Sequence, residues 1–229
     1  MLFRSVWYER EFYIPVDWQK KRMVLRFGSA THHAVVYVNG KEIMRHKGGF
    51  LPFEAELGDF VVVGKNRVTV ALSNMLDHDC LPFGYIRNAN PQYFPKGEKE
   101  QVYEFDFFNY SGIHRPVKIY TTPYIYVKDI LVKTDVIGTD GIIDYSVEVE
   151  GALKNINVAL FDQEGNKVAE ADEATGKLVV KNAHLWEVRA AYLYNLDIKA
   201  DEDHYTLPIG IRTVKMTDKQ FLINGKPVY

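Results

Sequence analysis

An alternation of apolar and polar side chains with a period of two recurs along this chain and constrains its fold more than any other feature. Every second residue of Arg22–Phe27 is apolar, and the same pattern returns at residues 66–72, as expected for strands that bury one face. Residues 34–38 are followed by Asn39 and Gly40, the dipeptide most typical of a tight hairpin turn. Apolar residues at helical spacing do not extend over any window of about 12 residues. The sequence therefore predicts an all-β protein.

The predicted strands form two series. The chain has 229 residues, a length that suits one large β domain or two ordinary ones. Residues 117–122 close the first series, and Pro123 marks a boundary. About seven short strands separated by turn signals then predict an immunoglobulin-like sandwich. These strands are predicted at 125–136, 142–150, 156–162, 167–171, 177–180, 192–200 and 204–214.

Residues 75–99 differ from their surroundings because they contain three prolines and little alternation. We predict a long irregular loop here. Loops of more than about 12–15 residues in a compact domain are often functional.

The balance of charge and cysteine excludes several classes of partner. The formal net charge is −2 and no stretch concentrates Lys or Arg, so neither nucleic acid nor an anionic membrane is an expected partner. No apolar run approaches the roughly 20 residues of a membrane span, and the charged residues within 1–11 do not resemble a signal peptide. Cys80 is the only cysteine, which excludes an intrachain disulfide and fits a reducing, cytoplasmic location.

No sequence motif predicts a metal, a cofactor or a nucleophile. His32 and His33 are adjacent on a predicted strand, so their side chains point to opposite faces. The other histidines are scattered and show no metal-ligand spacing with cysteine. A phosphate-binding glycine loop and a serine nucleophile elbow are both missing. Cys80 has no basic partner nearby in the sequence, which indicates an incidental buried thiol.

Asp106 is the candidate binding residue, because it lies inside a cluster of aromatic residues, 105–110. One reading is a turn, in which the carboxylate accepts hydrogen bonds from nearby backbone amides while the rings fill a core. The other is a sugar site. A carboxylate accepts charge-assisted hydrogen bonds from two vicinal hydroxyls, and aromatic rings pack against the C–H face of a pyranose.

A succession of motifs resembles the β-glucuronidase branch of glycoside hydrolase family 2. The resemblance covers nearly the whole chain from Val6 onward, and the Asp-Phe-Phe-Asn-Tyr segment at 106–110 is typical of this branch. The motifs are VWYEREF at 6–12, VVYVNG at 35–40, HKGGFLPFE at 46–54, DFFNYSGIHR at 106–115, TLPIGIRTV at 206–214 and FLINGKP at 221–227.

The resemblance implies an architecture and a function. Residues 1–122 correspond to a jelly-roll (galactose-binding-like) sugar-binding domain, residues 123–215 to an immunoglobulin-like sandwich, and residues 216–229 to the lead-in to a (β/α)8 barrel that this sequence does not contain. In this family the barrel carries both catalytic glutamates of a retaining glycosidase, and the acid/base follows an asparagine. No Asn-Glu dipeptide occurs in the chain, so we expect no catalytic residue here and no hydrolysis by the chain alone.

Asp106 matches the family position that contacts the glycone, and the intact enzyme is expected to bind a glucuronide and to form a homo-oligomer.

Two alternatives remain: a free-standing carbohydrate-binding module, which would bind glucuronic acid by itself, and an adhesion or scaffold protein. Residues 1–5 do not resemble the family. We therefore expect a fragment shortened at both ends, with unpaired sheet edges that promote poor solubility or dimerisation.

Overall fold

The computed structural model describes residues 5–94, 97–108 and 110–228. The chain divides into two compact units, Met1–Thr121 and Thr122–Tyr229, and both are built from antiparallel sheets, so the predicted all-β fold is confirmed. In the described part of the chain the helices are two single 3-10 turns, Val16–Trp18 and Gly58–Phe60. No helix in these residues has the length and apolar composition needed to cross a membrane.

The strands of the first unit are β1 (Ser5–Ile14), β2 (Arg22–Phe27), β3 (His33–Val38), β4 (Lys41–Lys47), β5 (Phe53–Glu56), β6 (Gly64–Ser73), β7 (Gly84–Asn88), β8 (Lys99–Tyr103) and β9 (Val117–Thr122). The strands of the second unit are β10 (Tyr126–Ile137), β11 (Asp140–Glu150), β12 (Ile156–Phe161), β13 (Lys167–Ala171), β14 (Thr175–Val180), β15 (Tyr194–Ala200), β16 (Asp203–Ile209), β17 (Val214–Met216), β18 (Phe221–Ile223) and β19 (Lys226–Val228).

The first unit is a sandwich of a four-stranded sheet, ordered β1-β6-β3-β4, and a three-stranded sheet, ordered β5-β2-β9. The alternating apolar residues of both sheets fill the space between them. At its centre Phe27 stacks on Phe53 with ring centroids 4.7 Å apart, and His46 stacks on Phe53 at 3.9 Å. Burial of these large side chains supplies the main stabilisation of the unit.

The predicted hairpin at Asn39-Gly40 is confirmed. It joins β3 to β4, and both residues have positive φ, 49° and 81°, as this turn requires. The Asn39 amide also donates to the side-chain oxygen of Asn66 at 2.8 Å. Asn66 is buried and in turn exchanges hydrogen bonds with the backbone of Val62, so the turn is fixed to the loop before β6.

The prediction of an irregular loop over residues 75–99 is wrong in part. Gly84–Asn88 and Lys99–Tyr103 pair as the antiparallel hairpin β7–β8. Gly84 starts this hairpin where the chain is tightly packed, because a Cβ on it would lie 2.8 Å from the side chain of Leu76 and 2.7 Å from the carbonyl oxygen of Val102. The segments 74–83, 89–94 and 97–98 remain irregular.

Seven strands of the second unit form two sheets, ordered β10-β11-β14 and β13-β12-β15-β16, around one apolar core. The predicted strand at 204–214 is too long, since β16 ends at Ile209. Gly210 lies against Trp186, where a Cβ would come within 2.8 Å of the indole, and the chain leaves the sheet there. Val214 onward forms a separate small antiparallel sheet, β17–β18–β19, and Tyr229 lies outside the described residues.

Candidate functional site

An exposed stretch of rings follows β8, and we call residues 103–110 the aromatic segment. Phe107, Phe108 and Tyr110 are 56%, 82% and 64% exposed. Phe105 links this group to the hairpin, because its ring lies 5.5 Å from Tyr103 and 4.4 Å from Phe107. Rings with this exposure do not fill the core of the unit. This argues against the interpretation in which the segment is a turn whose rings fill a core.

Asp106 lies in the middle of the aromatic segment on a bend of the chain and is exposed. Within the residues that the structure describes, no hydrogen bond or ion pair is made by its carboxylate. The exposed carboxylate is therefore not engaged by the described residues. Asn109, which belongs to the same motif, lies outside the described residues.

The chain directly after the aromatic segment is attached firmly to the sandwich. Gly112 accepts a hydrogen bond at its carbonyl from the amide of Thr31 at 3.1 Å, and Pro116 accepts one from Gly28 at 3.0 Å. Gly112 has φ +103°, and a Cβ there would lie 2.9 Å from the hydroxyl of Tyr8. Only glycine fits this position without strain.

His114 completes the attachment through two buried hydroxyls. Ser29 Oγ donates to the carbonyl of Gly49 at 2.6 Å and lies 2.7 Å from His114 Nε2. Since a hydroxyl has one hydrogen, the imidazole must donate to Ser29 from Nε2. Thr31 Oγ1 donates to the same carbonyl of Gly49 at 3.3 Å and lies 3.1 Å from His114 Nδ1. This network fixes residues 112–116 relative to the loop after β4.

Arg115 ties the same stretch to that loop at a second point. Its Nη1 donates to the carbonyl oxygen of Phe50 at 3.1 Å, and the Phe50 ring lies 5.9 Å from the imidazole of His114. The motif at 46–54 and the motif at 106–115, separate in sequence, are therefore neighbours in the fold.

A second cluster was not found by sequence reasoning. His33, at the start of β3, faces Asp77 and Cys80 of the irregular segment after β6, and one donor atom from each lies within 4.8 Å of the others. Lys47, at the end of β4, places its Nζ 2.9 Å from Asp77 Oδ2. His33 and Cys80 are 47 positions apart in the sequence, so no local spacing predicts that they are neighbours in the fold.

The electrostatics of this cluster are dominated by Asp77. Burial would raise the pKa of its carboxyl, but hydrogen bonds from Lys47, the Asp79 amide and Cys80 lower that pKa to about 2. Burial also raises the pKa of the Cys80 thiol above its usual value, so the group is a protonated thiol near neutral pH. A cavity of about 520 Å³ opens beside the cluster and is lined by His33, Asp77, His78 and Tyr85, among others.

Comparison with known protein families identifies both units. The family described as "Glycosyl hydrolases family 2, sugar binding domain" matches residues 3–123, and "Glycosyl hydrolases family 2" matches residues 118–212. The chain belongs to glycoside hydrolase family 2. The resemblance seen in the motifs is thereby confirmed, and this family assignment covers both sandwiches.

Relatives within the family are more than two fifths identical to the chain over the aligned residues. A β-glucuronidase of Paenibacillus borealis is 45% identical over 232 residues, and the Homo sapiens β-glucuronidase is 43% identical over 246. Each alignment covers 98% of this chain but only 39% and 38% of the relative. The chain thus spans about two fifths of the length of these relatives and corresponds to their N-terminal part.

Solved structures of family members agree with this fold. The β-D-glucuronidase of Dictyoglomus thermophilum matches with a TM-score of 0.93 and 49% identity, over 98% of this chain and 39% of the other. A β-glucuronidase of Ruminococcus gnavus in complex with D-glucuronic acid matches with a TM-score of 0.90 and 42% identity, over the same shares.

Proposed function

We propose that this chain is the non-catalytic N-terminal part of a β-glucuronidase, an enzyme that hydrolyses β-D-glucuronides. The observation that carries the proposal is the match of 98% of the chain to proteins named β-glucuronidase, over only about two fifths of their length. In this account the two sandwiches support a catalytic (β/α)8 barrel in the longer protein, and one residue of the first sandwich contributes to the glycone site. The intact enzyme is expected to be a homo-oligomer.

Asp106 is the proposed glycone contact. Its carboxylate is exposed and makes no hydrogen bond or ion pair with the described residues, and exposed rings of Phe107 and Phe108 flank it. A carboxylate that the described residues do not engage can accept two hydrogen bonds from adjacent sugar hydroxyls. The attachment of residues 112–116 to the sandwich would hold the position of the carboxylate and reduce the entropy lost when a sugar binds.

The chemistry of hydrolysis is assigned to the longer protein. A retaining glycosidase needs two carboxyl groups about 5–5.5 Å apart, one acting as acid/base and one as nucleophile. The family's acid/base glutamate follows an asparagine, and this sequence contains no Asn-Glu dipeptide. Asp106 would therefore bind and orient the sugar without exchanging protons or forming a glycosyl bond.

The test compares this chain with the longer protein that carries it. The longer protein should hydrolyse 4-nitrophenyl β-D-glucuronide, and the 229-residue chain should release no nitrophenol under the same conditions. Titration of the chain with D-glucuronic acid, followed by NMR, should show at most millimolar affinity. Submicromolar to micromolar binding by the chain alone would contradict the proposal and favour a free-standing carbohydrate-binding module.

A further inference from the structure

The cluster of His33, Asp77 and Cys80 combines three donor types that bind one class of metal ion. An imidazole nitrogen, a carboxylate oxygen and a thiolate sulfur are the ligands preferred by Zn²⁺. We propose that these three residues form a binding site for Zn²⁺ or a similar borderline-soft divalent cation, in the first sandwich and apart from the aromatic segment. This inference does not depend on the proposed glucuronidase function.

The distances between the donor atoms fit one ion. In tetrahedral coordination, with Zn–N and Zn–O bonds of about 2.1 Å, a nitrogen and an oxygen ligand lie about 3.4 Å apart. His33 Nε2 and Asp77 Oδ2 are separated by 3.6 Å, which is too long for a hydrogen bond. All three donor atoms lie within 4.8 Å of one another, so small side-chain rotations suffice to bring the sulfur into range.

The backbone between Asp77 and Cys80 already has the geometry of a ligand turn. Two residues separate the ligands, the same spacing as in the Cys-x-x-Cys turns of structural zinc sites. The amide of Asp77 donates to Cys80 Sγ at 3.3 Å, and the amide of Asp79 donates to Asp77 Oδ1 at 2.9 Å. The first bond stabilises a thiolate, and the second leaves Asp77 Oδ2 directed towards His33. His33 is held independently on β3.

Lys47 is the competing cation. Its Nζ lies 2.9 Å from Asp77 Oδ2 and 3.2 Å from Asp79 Oδ2. A metal ion on Asp77 displaces this ammonium, which keeps Asp79 as its partner because Asp79 is outside the proposed ligand set. Without a metal ion the buried thiol of Cys80 donates weakly to the carbonyl oxygens of Asp77 and Pro82, whereas a metal site uses its sulfur as a ligand.

Binding requires the loss of one proton. The S–H bond of Cys80 breaks as the sulfur–metal bond forms, and the proton passes to solvent. The ion drives this step, since a coordinated thiol is deprotonated outright. The fourth ligand position faces the cavity of about 520 Å³, where a water molecule completes the coordination. The imidazole of His78 also lines this cavity.

Cobalt spectroscopy on the 229-residue chain tests the proposal directly. Co²⁺ added under a non-thiol reductant should bind one equivalent and give a sulfur-to-metal charge-transfer band with the visible bands of a tetrahedral site. Zn²⁺ should displace it. Cys80→Ser should abolish the band, and His33→Gln and Asp77→Asn should each weaken Co²⁺ binding about tenfold or more. Circular dichroism of each variant separates loss of ligands from loss of folding.

His204→Gln is the matched control. His204 also lies on a strand and pairs with an aspartate, Asp197, but its unit contains no cysteine, so this variant should bind Co²⁺ like the parent chain. Lys47→Met should bind Co²⁺ more tightly because the competing ammonium is gone, and Lys41→Met should not. Absence of the charge-transfer band would overturn the proposal. An affinity for Co²⁺ that is unchanged in folded His33→Gln and Asp77→Asn would also overturn it, because the thiol would then bind the metal without the other two residues.

Discussion

The imidazole of His114 and the hydroxyl of Ser29 meet at 2.7 Å between Nε2 and Oγ, and this contact joins the end of the DFFNYSGIHR motif to the core of the first unit. The same hydroxyl donates to the carbonyl of Gly49. One buried serine therefore connects the chain after the aromatic segment with the loop after β4. We expect the position of the Asp106 carboxylate to depend on this connection.

Ser29→Ala is expected to loosen the connection. The variant removes the contact to His114 Nε2 and one of the two hydroxyl donors to the Gly49 carbonyl, and such a loss costs about 1–3 kcal/mol of unfolding free energy. Hydrogen exchange should also become faster at the amide of Thr31, which donates to Gly112. Ser146→Ala removes an exposed serine hydroxyl that bonds Thr175 in the second unit and should leave the Thr31 amide protected. Unchanged exchange at Thr31 in Ser29→Ala would show that the serine is not needed for the attachment.

His46 should make the first unit less stable in mild acid. Burial lowers the pKa of its imidazole below 6.5, and a backbone interaction with Gly48 only partly offsets this. As the pH falls through 6.5 the unfolded chain takes up a proton before the folded chain does, so the free energy of unfolding decreases. His46→Phe keeps a ring against Phe53 and should lose this part of the pH dependence.

Denaturant unfolding at pH 7.5 and pH 5.5 measures the effect. The parent chain should lose more stability between these values than His46→Phe does. Above pH 7 the free energies of unfolding of the parent chain and of His46→Phe should differ by a constant amount, because the imidazole is neutral in both the folded and the unfolded parent chain. Parallel curves down to pH 5.5 would mean that His46 does not contribute to the pH dependence.

The outer edge of β1 is expected to promote self-association. β1 is the terminal strand of its sheet, and Trp7 and Tyr13 are 64% and 71% exposed along it. An exposed edge strand with apolar side chains is a template for pairing with a second copy. Sedimentation velocity at tens of micromolar should detect dimers, and Trp7→Lys with Tyr13→Lys should shift the chain to monomer. Leu81→Lys, in an exposed loop position, should not. A monomeric parent chain would contradict this prediction.

The local sequence predicted those parts of the fold that depend on local signals. Alternation located β2 and β6, and Asn39-Gly40 located the hairpin, because side-chain period and turn conformation are properties of neighbouring residues. The hairpin β7–β8 was missed for the opposite reason. Its strands lie among prolines and glycines and lack a buried face with strict alternation, and their pairing is visible only in three dimensions.

The candidate sites differ in the same way. Asp106 was identified because a carboxylate among aromatic residues is unusual within a few positions of sequence. Its contact with a sugar remains a proposal. The cluster of His33, Asp77 and Cys80 was missed because two distant segments bring it together. The search for metal-ligand spacing considered residues that are close in the sequence, and it gives no information on residues that the fold makes neighbours.

The central claim is that Asp106 contributes a glycone contact to the enzyme of which this chain is the N-terminal part. The most direct measurement is kcat/KM of the longer protein and its Asp106→Asn variant on 4-nitrophenyl β-D-glucuronide. Charge-assisted hydrogen bonds are worth about 1.5–3 kcal/mol, so kcat/KM should fall roughly tenfold to a hundredfold. Asp59→Asn, at another exposed aspartate of the first unit, should match the parent enzyme. An Asp106→Asn enzyme with unchanged kcat/KM would contradict the claim.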